Sequence, residues 1–220
     1  MALLVGPLFA LLGLLPNAPT QASEPLHIVV ARGAGDSEVA VREWSWVVRG
    51  GGVQVEVWDP ASEAPLPKAD LLILDAVALP PSSVSRLKAW VRAGGLLLWA
   101  SGPEFESSKD HGAQPPLDPE LSGVSQEHQD PGLLGLYPRL IQNSPLLSPL
   151  LAGDGLRLGK KGLGHHVAFK AINPSEVLAE SAGLHLSDVG LVAPQTPPTL
   201  VLHPLQKGRV LFVGFSLADV

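Results

Sequence analysis

Three carboxylates and one hydroxyl carry most of the chemistry open to this sequence: Asp36, Asp75, Glu104 and Ser101. Each closely follows or ends an apolar run of strand length, the place where open α/β sheets present side chains to a ligand. Asp36 closes the Gly33-Ala34-Gly35-Asp36 break, Asp75 ends Asp70-Leu71-Leu72-Ile73-Leu74-Asp75, and Ser101 and Glu104 follow Leu96-Leu97-Leu98-Trp99-Ala100. Paired carboxylates can divide acid and base work on a glycosidic bond. Nothing in the sequence fixes the spacing of these three, so the expectation is ligand binding, with no catalytic residue assigned.

Other constellations are weaker. His165-His166 lie among Arg157, Lys160, Lys161 and Lys170, a stretch without acid that reads as a Gly-rich β-hairpin returning through residues 166–171. Those bases are expected to meet acidic residues of the middle segment across the surface. Adjacent histidines on a strand point to opposite faces, and no H-E-x-x-H or H-x-x-x-H spacing occurs, so no metal is expected. His27, His111, His128, His185 and His203 are isolated and read as structural or solvated. Gly214-Phe215-Ser216-Leu217-Ala218 approaches a nucleophile elbow, yet only two residues follow it where a helix is needed. No cofactor is expected either. Zero cysteine removes disulfides, thiolate metal sites and every cysteine nucleophile.

The elements that must position these residues are legible. Leu26-His27-Ile28-Val29-Val30-Ala31, residues 70–75 and residues 96–100 are continuous apolar runs, as parallel strands covered on both faces require. From Ser37, Ala40, Trp44, Val47 and Val48 recur on one helical face until Gly50-Gly51-Gly52. Val53-Gln54-Val55-Glu56-Val57 alternates, as an edge strand does. Pro80-Pro81-Ser82 opens a helix with Val84, Leu87, Trp90 and Val91 inward, and Gly94-Gly95 stops it. Residues 199–202 and 209–213 read as a late strand pair turning at Gln206-Lys207-Gly208. The expected fold is α/β: a three-layer, flavodoxin-like sheet wrapped by helices, with late antiparallel strands.

The stretch DLLILDAVALPPSSVSRLKAWVRAGGLLLWASG, from Asp70 to Gly102, resembles the central unit of the class I glutamine amidotransferase-like superfamily. Similar units occur in the trimerisation domain of bacterial beta-galactosidases, in trehalose-utilisation-type proteins and in auxiliary proteins of gliding-motility-type transporters. Gln206 to Ser216 is similar to the strand that closes many such domains. The resemblance covers residues 26–101 and 198–218. It implies a cysteine nucleophile on a sharp turn after residues 96–100. Here the chain reads Trp99-Ala100-Ser101-Gly102-Pro103, without the flanking glycines, and Pro103 stands where a helix should open. Ser101 is the nearest match, but a serine has too high a pKa to act without a base. Amidotransferase chemistry is therefore excluded.

Charge and composition narrow the partners. Of 21 acids and 15 bases, seven acids and one base (Lys109) lie in residues 102–135, so that segment carries the whole net charge of −6. Its prolines argue against a long helix or strand, and residues 102–155 read as a Pro-rich acidic insertion. The acidic balance excludes nucleic acid as the main partner. Residues 2–15 form an uncharged apolar run too short to span a bilayer, followed by the small-residue pattern Thr20-Gln21-Ala22, although no Lys or Arg precedes it. Residues 1–22 are expected to be a signal peptide or N-terminal anchor and residues 23–220 the domain. The resemblance implies a further helix, often with a membrane span, after Asp219-Val220, so a C-terminally truncated reading frame is expected. The leading expectation is a non-catalytic domain, exported, periplasmic or membrane-anchored, binding a polar small ligand or an envelope protein at its strand ends. An envelope hydrolase of sugars or peptides and a structural assembly subunit are the alternatives.

Overall fold

The computed structural model describes residues 25–31, 53–62, 64–75, 77, 79–100, 117–127, 133–140, 168–187, 190–192 and 198–214. Strands β1 (Leu26–Ala31), β2 (Val53–Trp58), β3 (Leu71–Asp75) and β4 (Leu96–Ala100) form where the apolar runs stand, and helix α1 (Pro81–Arg92) links β3 to β4. Then come a short helix α2 (Pro119–Ser122), β5 (Val124–Glu127), β6 (Leu133–Leu140), β7 (Ala168–Ala171), β8 (Glu176–Ser187), β9 (Gly190–Val192), β10 (Pro198–Leu205) and β11 (Gly208–Val213). The main sheet has the order β2-β1-β3-β4-β11-β10-β8-β6, with β9 also paired to β8, while β5 and β7 form a separate pair.

Pairing is parallel from β2 through β1, β3 and β4 to β11. It becomes antiparallel from β11 through β10 and β8 to β6. The expected architecture, a parallel core with late antiparallel strands, is therefore present.

α1 begins at Pro81, whose missing N–H is no loss in a first turn, and gives way to Gly94-Gly95. Leu87 and Val91 are fully buried beneath it, with Val84 and Trp90 packed against the same core. Full burial of Leu87 and Val91 is worth roughly 1.5–3 kcal/mol each. Opposite α1 lie Val29, Ala31, Leu72, Leu74, Leu97, Trp99 and Phe212. Strand alternation puts Ile28, Val30, Leu71, Ile73, Leu98 and Leu211 on the other face, and these are buried too. Burial on both faces explains why the runs do not alternate.

One sequence expectation is corrected. The segment read as an irregular Pro-rich insertion supplies α2, β5 and the eight-residue β6. Pro138 is tolerated in β6 because that strand is the outermost of the sheet path, where a missing backbone donor breaks no ladder. In addition, the expected returning strand 166–171 is present as β7, while residues 156–165, from which it is expected to return, lie outside the described residues. The described partner of β7 is β5, with Val124 opposite Ala171 and Glu127 opposite Ala168. The edge position of β2 is as expected, with Gln54 and Glu56 exposed.

Candidate functional site: the carboxyl rim of the parallel strands

The chain reverses its direction of travel across the sheet between β1 and β3: β2 lies to one side of β1, and β3, then β4, to the other. Ligands of open α/β sheets bind outside the carboxyl ends at such a switch point. Asp75 is the last residue of β3, in register with Ala100, which is itself in register with Val213 of β11. Ala31, the last residue of β1, is level with Trp58 at the end of β2. Asp75 therefore stands on the carboxyl rim beside the switch. Asp36, Ser101 and Glu104 lie outside the described residues, as do residues 1–22 and the histidine pair His165-His166.

The rim is braced by Arg86 of α1. Its guanidinium donates to the Ser62 carbonyl at 2.9 Å, to the Ser83 hydroxyl at 2.8 Å and to the Ala64 carbonyl, and it stacks 5.7 Å from the centre of the Trp58 ring. One planar fork thus ties the turn after β2 to the helix after β3. Two buried polar atoms of rim residues have no hydrogen-bond partner: Trp58 Nε1 and Thr199 Oγ1. Each leaves about 1–3 kcal/mol of desolvation uncompensated.

One flank of the rim is raised. Val213 is paired with Leu200 and Leu200 with Ala179, so Ala179 of β8 is level with the ends of the parallel strands. Because β8 runs in the same direction as β11, residues 180–187 continue past that level for about 25 Å. β6 pairs along one edge of this extension and β9 along the other.

A second cluster joins segments far apart in sequence. His203 Nε2 lies 3.0 Å from the Glu120 carbonyl, and Nδ1 lies 2.9 Å from Ser175 Oγ. Ser175 Oγ is also 2.8 Å from the Gly123 carbonyl, which accepts from Ile172 N–H at 3.0 Å. Gly123 ends α2 at a φ of 77°, and an added Cβ would come within 2.3 Å of His203 Cβ. Only glycine fits there. A serine beside a histidine suggests a nucleophile and its base, but the nearby backbone donors are spent. Gly123 N–H donates to Pro119 O, Ser175 N–H to Ile172 O and Ile172 N–H to Gly123 O. No donor of this set remains to receive an oxyanion. The cluster is a joint holding α2, the 172–175 turn and β10 together. Of the two readings open for His203, structural or solvated, the buried ring fits the first. Its partners are not legible in the sequence, for no local pattern relates positions 28 and 83 residues away.

Asp118 and Glu120 of the middle segment pair with bases of α1, while Arg157, Lys160 and Lys161 lie outside the described residues. Lys88 Nζ lies 2.9 Å from both Asp118 Oδ2 and Glu120 Oε2, and Arg92 pairs with Glu120. Asp118 also caps α2, accepting from Leu121 N–H at 2.9 Å. Partial burial works against the Lys88 charge, but its hydrogen bonds to Glu120 and Asp118 prevail and raise its pKa. Hydrogen bonds from Lys88 and Arg92 hold the Glu120 carboxyl below its ordinary 4.5. A depressed carboxylate contributes stability that is complete above its unfolded value and lost as the pH falls through the folded one. Glu120→Gln is therefore expected to flatten the loss of stability below about pH 4.5, by a small amount because the group is exposed. Urea unfolding midpoints across that range, wild type against variant, check this; parallel curves would contradict it.

Among the described residues, no three His, Asp or Glu side chains converge as on a metal ion. Nor, among them, is any helix long and apolar enough to cross a membrane.

No known family model matches the chain, and neither does any curated protein. Solved structures do. A glutamine amidotransferase from Thermotoga maritima is matched over 90% of this chain and 78% of its own, at 11% identity and a TM-score of 0.52. The cytoplasmic protein STM1381 of Salmonella typhimurium LT2 is matched over 87% and 88%, at 14% identity and a TM-score of 0.53. A beta-galactosidase from Rahnella sp. R3 is matched over 86% of this chain but 28% of its own, at 13% identity and a TM-score of 0.50. The chain spans about three tenths of the length of the glycosidases it matches. The shared element is the fold, a glutamine amidotransferase-like one.

Proposed function

We propose that this chain is a non-catalytic glutamine amidotransferase-like domain of an exported or membrane-associated bacterial envelope protein, and that it binds a polar ligand or a protein partner at its carboxyl rim. The observation that carries this reading is the position of Asp75 beside the β1/β3 switch, in a chain with no cysteine to act as the superfamily's nucleophile. Trp58 Nε1 and Thr199 Oγ1, buried on rim residues and without partners, support it, since a polar ligand could meet such groups. The raised flank formed by β8, β6 and β9 supports the partner side of the reading by adding surface beyond the strand ends. Export rests on the apolar run of residues 2–15.

Asp75→Asn tests the site. Thermal unfolding is measured with glucose, galactose, trehalose or spermidine, each at millimolar concentration. At least one is expected to raise the Tm of the wild-type chain, and the shift is expected to vanish in the variant while its own Tm stays unchanged. A ligand excess of about 100 Kd corresponds to ~2.7 kcal/mol of stabilisation, well within reach of such a measurement. A shift that persists in Asp75→Asn would move the site elsewhere. A fusion of residues 1–25 to a reporter active only outside the cytoplasm tests export separately.

A further inference from the structure

The joint at His203 can take up a proton without losing a hydrogen bond. A carbonyl only accepts, so contact with Glu120 O makes Nε2 the protonated nitrogen of the neutral ring. Nδ1 then has a lone pair, and the Ser175 hydroxyl can donate to it. The Gly123 carbonyl then gives up the bond that the Ser175 hydroxyl can donate to it and keeps the one from Ile172 N–H. Protonation turns Nδ1 into a donor. Ser175 Oγ can accept that bond and turn its own hydrogen to the Gly123 carbonyl, 2.8 Å away.

We infer that Ser175 and His203 form a proton-responsive pin, in which rotation of one hydroxyl reverses the direction of the Ser175–His203 hydrogen bond and keeps α2, the 172–175 turn and β10 joined in both charge states. No heavy atom has to move. Burial of the ring opposes the charge and sets its pKa below the ordinary 6.5, while the Glu120 backbone hydrogen bond and carboxylate act the other way. The elements around the ring carry Glu120 and Asp118 at α2, Lys88 and Arg92 on α1, Lys170 on β7, Glu176 on β8, and Lys207 and Arg209 across the β10–β11 hairpin. Of these, Glu120 is the one that acts on the ring by charge. A histidine with a depressed pKa contributes stability at neutral pH that is lost as the pH falls below the unfolded value. The hydroxyl limits that loss, because it gives the imidazolium a charge-assisted acceptor.

The test is the titration of His203 by ¹H–¹³C and ¹H–¹⁵N NMR, with its resonance assigned by difference from His203→Asn. In the wild type the neutral ring should be protonated at Nε2, and the group should titrate below 6.5. Ser175→Ala should lower the proton affinity of the ring roughly tenfold, one pKa unit. Its urea midpoint should also fall more than the wild type's between about pH 7 and about pH 5. Ser175→Thr, which keeps a hydroxyl, should titrate as the wild type does. An unchanged or raised pKa in Ser175→Ala would overturn the inference. Should that variant not fold, a neutral wild-type ring protonated at Nδ1 would overturn it equally.

Discussion

Phe212→Ala is expected to lower the free energy of unfolding by about 3–5 kcal/mol, among the largest losses any single side chain of this domain can produce. Phe212 belongs to β11, which lies between β4 and β10, and it is fully buried. Its ring meets Phe169 edge to face at a centroid separation of 4.8 Å and Trp99 at 6.4 Å. Truncation removes the transfer free energy of the ring, the contacts with both neighbours and the filling of a space bounded by rigid strands. Collapse into that space is restricted because Trp99 and Phe169 sit on β4 and β7, each fixed by its own strand pairing. Equilibrium unfolding in urea measures the loss, with Val57→Ala on the exposed edge as the reference. Val57 is 48% exposed, so its truncation should stay within about 0.5 kcal/mol. Similar losses for the two variants would show that the three rings do not form the centre of the core.

The second large effect is expected from a single added methyl group. Gly208 opens β11 where the hairpin passes the end of α1, and a Cβ there would lie 2.0 Å from the Val91 carbonyl oxygen and 2.4 Å from that of Gly95. Both are backbone atoms, so no side chain can swing aside. The Gly95 carbonyl also accepts from Arg209 N–H at 3.2 Å, and the Lys207 N–H points to Arg92 O. Gly208→Ala must therefore push the hairpin off the helix or break these links. A loss of about 3 kcal/mol or more is expected, at the upper end of overpacking effects. Lys207→Ala, one residue away and exposed, should stay within about 0.5 kcal/mol. A Gly208→Ala variant as stable as Lys207→Ala would mean that the hairpin and α1 do not touch as described.

Much of this architecture can be read from local pattern. The runs at 26–31, 70–75 and 96–100 are uninterrupted because both of their faces are covered, and the spacing of Leu87 and Val91 follows from a helix lying on one of those faces. The rim position of Asp75 follows from the same runs. Where local pattern fails, the cause is distance along the chain. Nothing near Glu120 announces Lys88 and Arg92, and nothing near Gly123 announces His203. The prolines of residues 102–155 misled for a related reason. Proline disrupts a strand hydrogen-bonded on both sides, yet β6 is an edge strand, a fact of topology that composition does not contain. The extension of β8 past the rim likewise emerges only from register.

The position of β11 has a cost in time. Arg209 pairs with Leu96, more than half the chain away, and the strand that fills the gap beside β4 is thus made long after β4 itself. At synthesis rates of about 5–20 residues per second, the edge of β4 waits on the order of ten seconds for its partner. During that interval Leu97, Leu98 and Trp99 stand on an open strand edge, the kind of template on which nascent chains pair with one another. This domain should therefore depend on holding factors during its synthesis more than its finished stability would suggest.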